Sequence, residues 1–319
     1  MMNLCQLPPS LKPGDLLRVI APSGALREFE AFLHGVELWR SHGYRVEFSP
    51  GFDHQWGYLA GTDVERREQL KMAWNDPECR GILCARGGYG STRLLEDWTW
   101  LLGQGSREES LNPKWLIGFS DVTGLLWSLA TVGVSGVHAP VLTTIANEPD
   151  WSIRRLFDWV EGRSLEPLTG RGWGGGKVSG LLLPANLTVA THLLGTPIQP
   201  PLEGIILAIE DVTEVPYRID RMLTQWRLTG AIKQVRGIAL GRFSRCQAPQ
   251  DVPSLTVEEV LRDRMSDLNI PIVSDLPFGH DGSNAALPVG VMAVLDANQG
   301  LLSVMRERGE ERGGERSRF

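Results

Sequence analysis

The chain has 319 residues, of which 42% are hydrophobic and 22% charged, and carries a formal net charge of −6. That length supports two domains with cores of their own, and that balance describes a globular protein rather than a disordered one. A mildly acidic chain without a concentrated basic face excludes nucleic acid as the expected partner.

The first residues, MMNLCQLPPSLKPGDLLRVIAPSG, lack the basic region and long apolar run of a secretory signal. No apolar run approaches the roughly 20 residues that span a bilayer. A cytoplasmic protein with no membrane partner is therefore expected. Cys5, Cys79, Cys84 and Cys246 show no CxxC spacing, which points to reduced thiols rather than disulfides or a zinc knuckle.

In chain order, LLRVIAPSG (16–24) reads as a strand ending in a turn, FEAFLHGVELWRSHGY (29–44) as a helix, and RVEFSP (45–50) as a second strand. DVERREQLKMAWNDP (63–77) is a helix stopped by Asn-Asp-Pro. GILCARGGYG (81–90) is a buried strand running into a glycine turn, STRLLEDW (91–98) the next helix, and 114–133 repeats strand, sharp turn, helix. Such alternation predicts an α/β domain over 1–163, a Rossmann-like parallel sheet covered by helices. The Gly-rich stretch 162–180 reads as an exposed connection. From 164 to 305 short β-type runs (180–187, 204–212, 237–243, 270–279, 289–304) are broken by two helices, 217–231 and 256–268, which predicts a smaller, more β-rich C-terminal domain. The charged, Gly-rich tail 306–319 is expected to be disordered.

Ser120 stands where the apolar strand WLIGF ends, with Asp121 and Thr123 able to cap the helix that follows. A serine at such a corner exposes its hydroxyl beside the N–H groups of a helical start, which can stabilise an oxyanion. The segment G-F-S-D-V is not the G-x-S-x-G of α/β-hydrolases, and on its own it reads more readily as a plain helix cap. Gly87, Gly88, Tyr89 and Gly90 follow another strand, where glycines can turn tightly and present N–H groups to an anion; a ligand-free turn fits the same spacing. Glu210 and Asp211 end the run IILAIED, where an acid needs a partner, and His280 follows IVSDLPFG. A serine, an acid and a histidine at strand ends supply a nucleophile, an orienter and a general base. Cys84, in apolar ILCA, reads as a buried and inert thiol. His34, His42, His54, His138 and His192 form no H-x-H or H-x-x-x-H pair, so neither a metal nor another cofactor is expected.

GYLAGTDVERREQL, ILCARGGYGSTRLL, IGFSDVTGLL, ANLTVATHLLGTP, AIEDVTEVPYRIDRMLTQW and LPFGHDGSNAALPVG resemble, in order and spacing, the signature segments of the LD-carboxypeptidase family, over about Pro13 to Val304. The resemblance implies a Ser-His-Glu triad of Ser120, His280 and Glu210 at the junction of the two domains. It implies removal of terminal D-alanine from a murein tetrapeptide in peptidoglycan recycling, and for that reaction the backbone N–H groups of Asp121 and of the Gly87–Gly90 loop, Gly88 in particular, are expected to bind the oxyanion. It also suggests a homodimer. A related branch, the microcin C immunity hydrolases, uses the same triad on aminoacyl-nucleotide antibiotics and is the alternative. A carboxypeptidase must recognise the free carboxylate of its leaving residue, for which Arg86, Arg93 and Tyr89 beside the glycine turn are the candidates. One departure is Leu183-Pro184-Ala185-Asn186 in place of the usual Gly-Gly-Asn segment, which puts the local loop shape in question.

Overall fold

The computed structural model describes residues 2–98 and 112–306. The N-terminal elements are β1 (Leu16–Ile20), α1 (Phe29–Ser41), β2 (Arg45–Phe48), α2 (Asp63–Asn75), β3 (Cys79–Cys84), α3 (Ser91–Leu94), β4 (Trp115–Gly118), α4 (Thr123–Thr131), β5 (Val137–His138), α5 (Leu142–Ile145) and α6 (Asp150–Val160). Helix α1 turns Phe32, Val36 and Trp39 inward, a stripe of helical period. Helix α2 starts on a capping box, in which Thr62 accepts from the Glu65 N–H while Glu65 reaches back to the Thr62 N–H. Helix α4 buries Thr123 through Ala130 on every side, as expected of a helix trapped between layers. The predicted helix over 91–98 is shorter than its sequence suggests, since α3 tightens into a 3₁₀ turn at Leu95–Asp97.

The C-terminal elements are β6 (Leu168–Thr169), β7 (Arg171–Trp173), β8 (Lys177–Asn186), α7 (Leu187–Leu193), β9 (Ile206–Val212), α8 (Pro216–Leu228), β10 (Gly237–Ser244), α9 (Val257–Met265), β11 (Ile272–Ser274), β12 (Leu287–Pro288), β13 (Met292–Asp296) and β14 (Leu301–Val304). Strands β8, β9, β10 and β11 run parallel, each joined to the next by one of α7, α8 and α9. The second region thus contains three crossover helices rather than two. Helix α7 hides in sequence behind the apolar run GLLLPANL, and Asn186 starts it by accepting the Val189 N–H.

One six-stranded sheet has the order β12-β5-β4-β3-β1-β2, and an eight-stranded sheet the order β6-β14-β13-β8-β9-β10-β11-β7. Strands β6 and β7 are separated in sequence only by Gly170 yet stand at opposite ends of the second order, so that sheet curls until its edges nearly meet. The stretch 162–180 is therefore partly a seam of strands rather than a plain exposed connection. Only glycine fits the seam, because a Cβ on Gly172 would lie 1.7 Å from the Ala297 carbonyl oxygen. Strand β12 crosses back to pair antiparallel with β5, so the chain beyond His280 stitches the second region to the first sheet. Of the tail, only Arg306 is described, and it donates to the Trp159 carbonyl at 2.6 Å; the disorder expected for 306–319 otherwise falls outside the described residues. Among the described residues no helix is long and apolar enough to cross a membrane.

Candidate active site

The carboxyl ends of β4 and β9 bring Ser120 and Glu210 to the same imidazole, that of His280, and strand carboxyl ends are the usual place for ligands in α/β folds. Past the end of β4, Ser120 adopts φ +62°, a left-handed conformation that costs a non-glycine residue about 1–3 kcal/mol. Its Oγ lies 3.0 Å from His280 Nε2. On the other side of that ring, Nδ1 lies 2.6 Å from Oε2 of Glu210, which is fully buried near the end of β9. Three side chains up to 160 residues apart thus form a continuous hydrogen-bonded chain. In it, a buried carboxylate fixes Nδ1–H and leaves Nε2 free to accept the serine proton.

The loop carrying His280 is held from several directions. Asn284 Oδ1 accepts the Gly279 N–H at 3.1 Å, Ser244 Oγ accepts the Asp281 N–H at 3.0 Å, and Glu148 Oε2 accepts the Asn284 N–H at 2.7 Å. Arg242 Nη1 donates to the carbonyls of Asp281 and Ser283. The Phe119 ring packs against the imidazole with centroids 4.8 Å apart.

Asn186 joins the two halves. Its Nδ2 is shared between Glu210 Oε1 at 3.3 Å and Asp211 Oδ1 at 3.2 Å, while its backbone N–H donates to Thr123 Oγ1 at 3.0 Å. Asp211 also accepts from the N–H and the hydroxyl of Thr188, but burial dominates and pushes its carboxyl up to about 6. Asp121 and Thr123 do not cap α4 as their position suggests. The Asp121 carboxylate accepts the Ser23 hydroxyl at 2.6 Å and the Ser91 N–H at 2.8 Å, which ties the turns after β1 and β3 to the Ser120 turn. The helix begins as a 3₁₀ turn, which leaves both side chains free for those partners. Pro184 lies beyond the register of β8 with β13 and beyond the Leu182 bonds to Val291 and Gly290 that follow it, and its carbonyl receives Trp127 Nε1–H at 3.0 Å.

The glycine turn lies directly against the serine. A Cβ placed on Gly87 would be 3.1 Å from Ser120 Cβ and 3.3 Å from its Oγ, and Gly88 has φ +114°. Of the side chains expected to meet a substrate carboxylate, Arg93 is already engaged: Nε and Nη2 form a bidentate pair with Asp63, which raises its pKa further. It is better placed to hold the turn than to receive a ligand. Arg86 donates to the Ala25 carbonyl at 2.7 Å and is 3.5 Å from Glu28. Tyr89 is exposed at the rim, its ring 5.9 Å from that of Tyr58. Cys84 is buried under the site, and burial drives its thiol pKa upward.

Two members of this surrounding receive no role from the sequence. Asn186 is recognisable as a polar residue closing an apolar strand before a helical run. His138, by contrast, gives no signal as a lone histidine in an apolar stretch. It is fully buried, both ring nitrogens are without a hydrogen-bond partner, and burial pulls its pKa down to about 4.

Residues 17–139 match the model of the LD-carboxypeptidase N-terminal domain and residues 179–295 that of the LD-carboxypeptidase C-terminal domain. A Synechocystis sp. protein, itself only provisionally described as a carboxypeptidase, is 58% identical over 93% of this chain and 97% of its own length. The murein tetrapeptide carboxypeptidase of Pseudomonas aeruginosa is 31% identical, over 88% of this chain and 93% of its own. Among solved structures, muramoyltetrapeptide carboxypeptidase from Oxalobacter formigenes superposes with a TM-score of 0.79 at 28% identity, covering 91% of this chain and 97% of that one.

Proposed function

Since the chain belongs to the LD-carboxypeptidase family, whose N- and C-terminal domain models match its two regions, we propose that it is a serine carboxypeptidase acting through Ser120, His280 and Glu210. Its substrate is a murein tetrapeptide, from which it releases terminal D-alanine in cytoplasmic peptidoglycan recycling. The observation that carries this reading is the unbroken chain from Ser120 Oγ through both nitrogens of His280 to buried Glu210.

In the reaction His280 Nε2 takes the Ser120 proton as Oγ bonds to the scissile carbonyl carbon. Glu210 holds the imidazole in register and stabilises its cation. The tetrahedral oxyanion is received by the N–H groups of Asp121 and Gly88, a contribution of about 3–4 kcal/mol for one such donor in comparable sites. His280 then passes the proton to the leaving nitrogen as the C–N bond breaks, freeing D-alanine. Water, deprotonated by His280, attacks the ester and restores the Ser120 hydroxyl. The left-handed turn at Ser120 supports this role, since such strain concentrates at functional positions. The enzyme works as a homodimer.

The test is D-alanine release from a defined tetrapeptide by the wild-type chain and by Ser120→Ala, with an aminoacyl sulfamoyl adenosine as a second substrate. Release by the wild type and none by the variant is expected. Cleavage of the nucleotide compound alone would transfer the assignment to the immunity hydrolases, and full activity of Ser120→Ala would end the serine mechanism.

A further inference from the structure

His280 lies in a stretch, 275–286, that belongs to neither helix nor strand, so something other than a backbone ladder must fix its imidazole. The end of β10 supplies it. The register of β10 with β9 shifts between Leu240 and Phe243, a bulge of the kind that re-aims a side chain beside a site. Gly241 and Arg242 fall out of that register, and the chain leading to His280 lies against them. The Leu276 N–H donates to the Leu240 carbonyl at 3.1 Å, and the Arg242 N–H donates to the Phe278 carbonyl at 2.8 Å. A Cβ on Gly241 would stand 2.5 Å from that Phe278 oxygen, so the loop begins pressed onto the bulge.

Beyond Phe278 the chain turns around the Arg242 side chain. Nη1 donates to the Asp281 carbonyl at 3.0 Å and to the Ser283 carbonyl at 2.5 Å, so one residue holds the loop on both sides of His280. Glycines permit the close approach. Gly279 and Gly282 have φ +133° and +73°, and a Cβ would lie 3.1 Å from Arg242 Cβ at the first and 3.3 Å from Nη1 at the second. From the N-terminal region, Glu148 also feels this cation. Burial raises its pKa, while the Asn284 N–H, the Ser152 hydroxyl and the Arg242 charge act in the opposite sense. Asn284 and Ser244 each hold a single N–H of the loop, whereas Arg242 spans it.

We propose that Arg242 is the positioning residue of the base, a cation around which the 278–284 loop sets and which acts on the reaction through His280 without touching the substrate. This role rests on the serine carboxypeptidase reading, in which His280 Nε2 takes the Ser120 proton. A misplaced imidazole then slows proton transfer and lowers kcat, while the groups that bind substrate, and with them KM, are left alone. Arg242 is half-buried and lines a cavity of about 860 Å³. Cutting it back to alanine therefore leaves a space that a small cation can enter from solvent.

The experiment measures kcat and KM for D-alanine release from a defined tetrapeptide by the full-length wild type, Arg242→Ala, Arg242→Lys and Ser120→Ala, each with a thermal melt. Arg242→Ala should lose about 10- to 100-fold in kcat with KM within about twofold of wild type. Guanidinium chloride, well below denaturing concentrations, should restore about tenfold of that loss, and sodium chloride at the same concentration should not. Arg242→Lys keeps the charge and the stem without the planar fork, so it should fold even where the alanine variant does not, and should lose about 3- to 10-fold in kcat at unchanged KM. Wild-type kcat in either folded variant, a rise in KM at unchanged kcat, or a loss in Arg242→Ala that neither guanidinium nor lysine relieves would overturn the role while leaving the carboxypeptidase intact. Full activity of Ser120→Ala would overturn the serine reading, and the role of Arg242 with it.

Discussion

Replacing Gly87 by alanine crowds Ser120, the proposed nucleophile, without changing any group of the proposed triad. Gly87 is not in the left-handed region, so its backbone accepts alanine without torsional cost, and the effect comes from the methyl group alone. That methyl would stand 3.1 Å from Ser120 Cβ and 3.3 Å from Oγ, closer than side chains normally pack. Ser120 has little room to retreat, because its positive φ is set by the turn and its hydroxyl is 3.0 Å from His280. A displacement of a few tenths of an ångström up to 1 Å at a reacting atom costs about 10- to 100-fold in rate. That loss corresponds to about 1.4–2.7 kcal/mol of transition-state stabilisation. Overpacking of this kind also costs about 1 kcal/mol or more of fold stability. The assay is kcat/KM for D-alanine release, read beside a thermal melt to separate crowding from unfolding. A folded Gly87→Ala enzyme with wild-type kcat/KM would refute the placement of this turn against the serine.

Asn186→Ala removes the cap of α7 and leaves Glu210 and Asp211 short of a donor, so urea denaturation should show a loss of about 2–4 kcal/mol, with a lower kcat. His138 is held neutral by burial with a pKa near 4 against 6.5 in the unfolded chain. The stability it contributes is complete above pH 6.5 and is lost as pH falls towards 4, by up to about 3 kcal/mol. His138→Gln should flatten the fall in urea midpoint over that window, and parallel pH curves for the two proteins would count against a neutral buried imidazole. Arg93→Ala should change KM for the tetrapeptide little, because the guanidinium is engaged by Asp63. A large rise in KM with kcat unchanged would return Arg93 to the substrate.

The alternation of apolar runs and helical periods made the N-terminal sheet legible, because parallel strands buried on both faces leave uninterrupted hydrophobic stretches. Short elements were not legible. Residues 168–173 carry no strand pattern, yet they close the second sheet through glycines that fit where no Cβ could. Leu287–Pro288 is two residues long and pairs with β5 only because the fold carries it there. Helix α7 begins immediately where β8 stops, so its apolar residues merge with the strand in sequence. Ser120, Glu210 and His280 stood out by residue type at strand ends and by resemblance. The conformation of Ser120, the sharing of Asn186 between two acids and the isolation of His138 depend on contacts between distant segments that local sequence does not encode.

The proposed chemistry is tested most directly by treating the intact chain with a serine-directed fluorophosphonate and mapping the modified peptide by mass spectrometry. Modification of Ser120 alone, strongly slowed in His280→Ala, is the expected result. Undiminished D-alanine release by a chain whose Ser120 is fully modified, or modification of Ser120 at the same rate without His280, would contradict it.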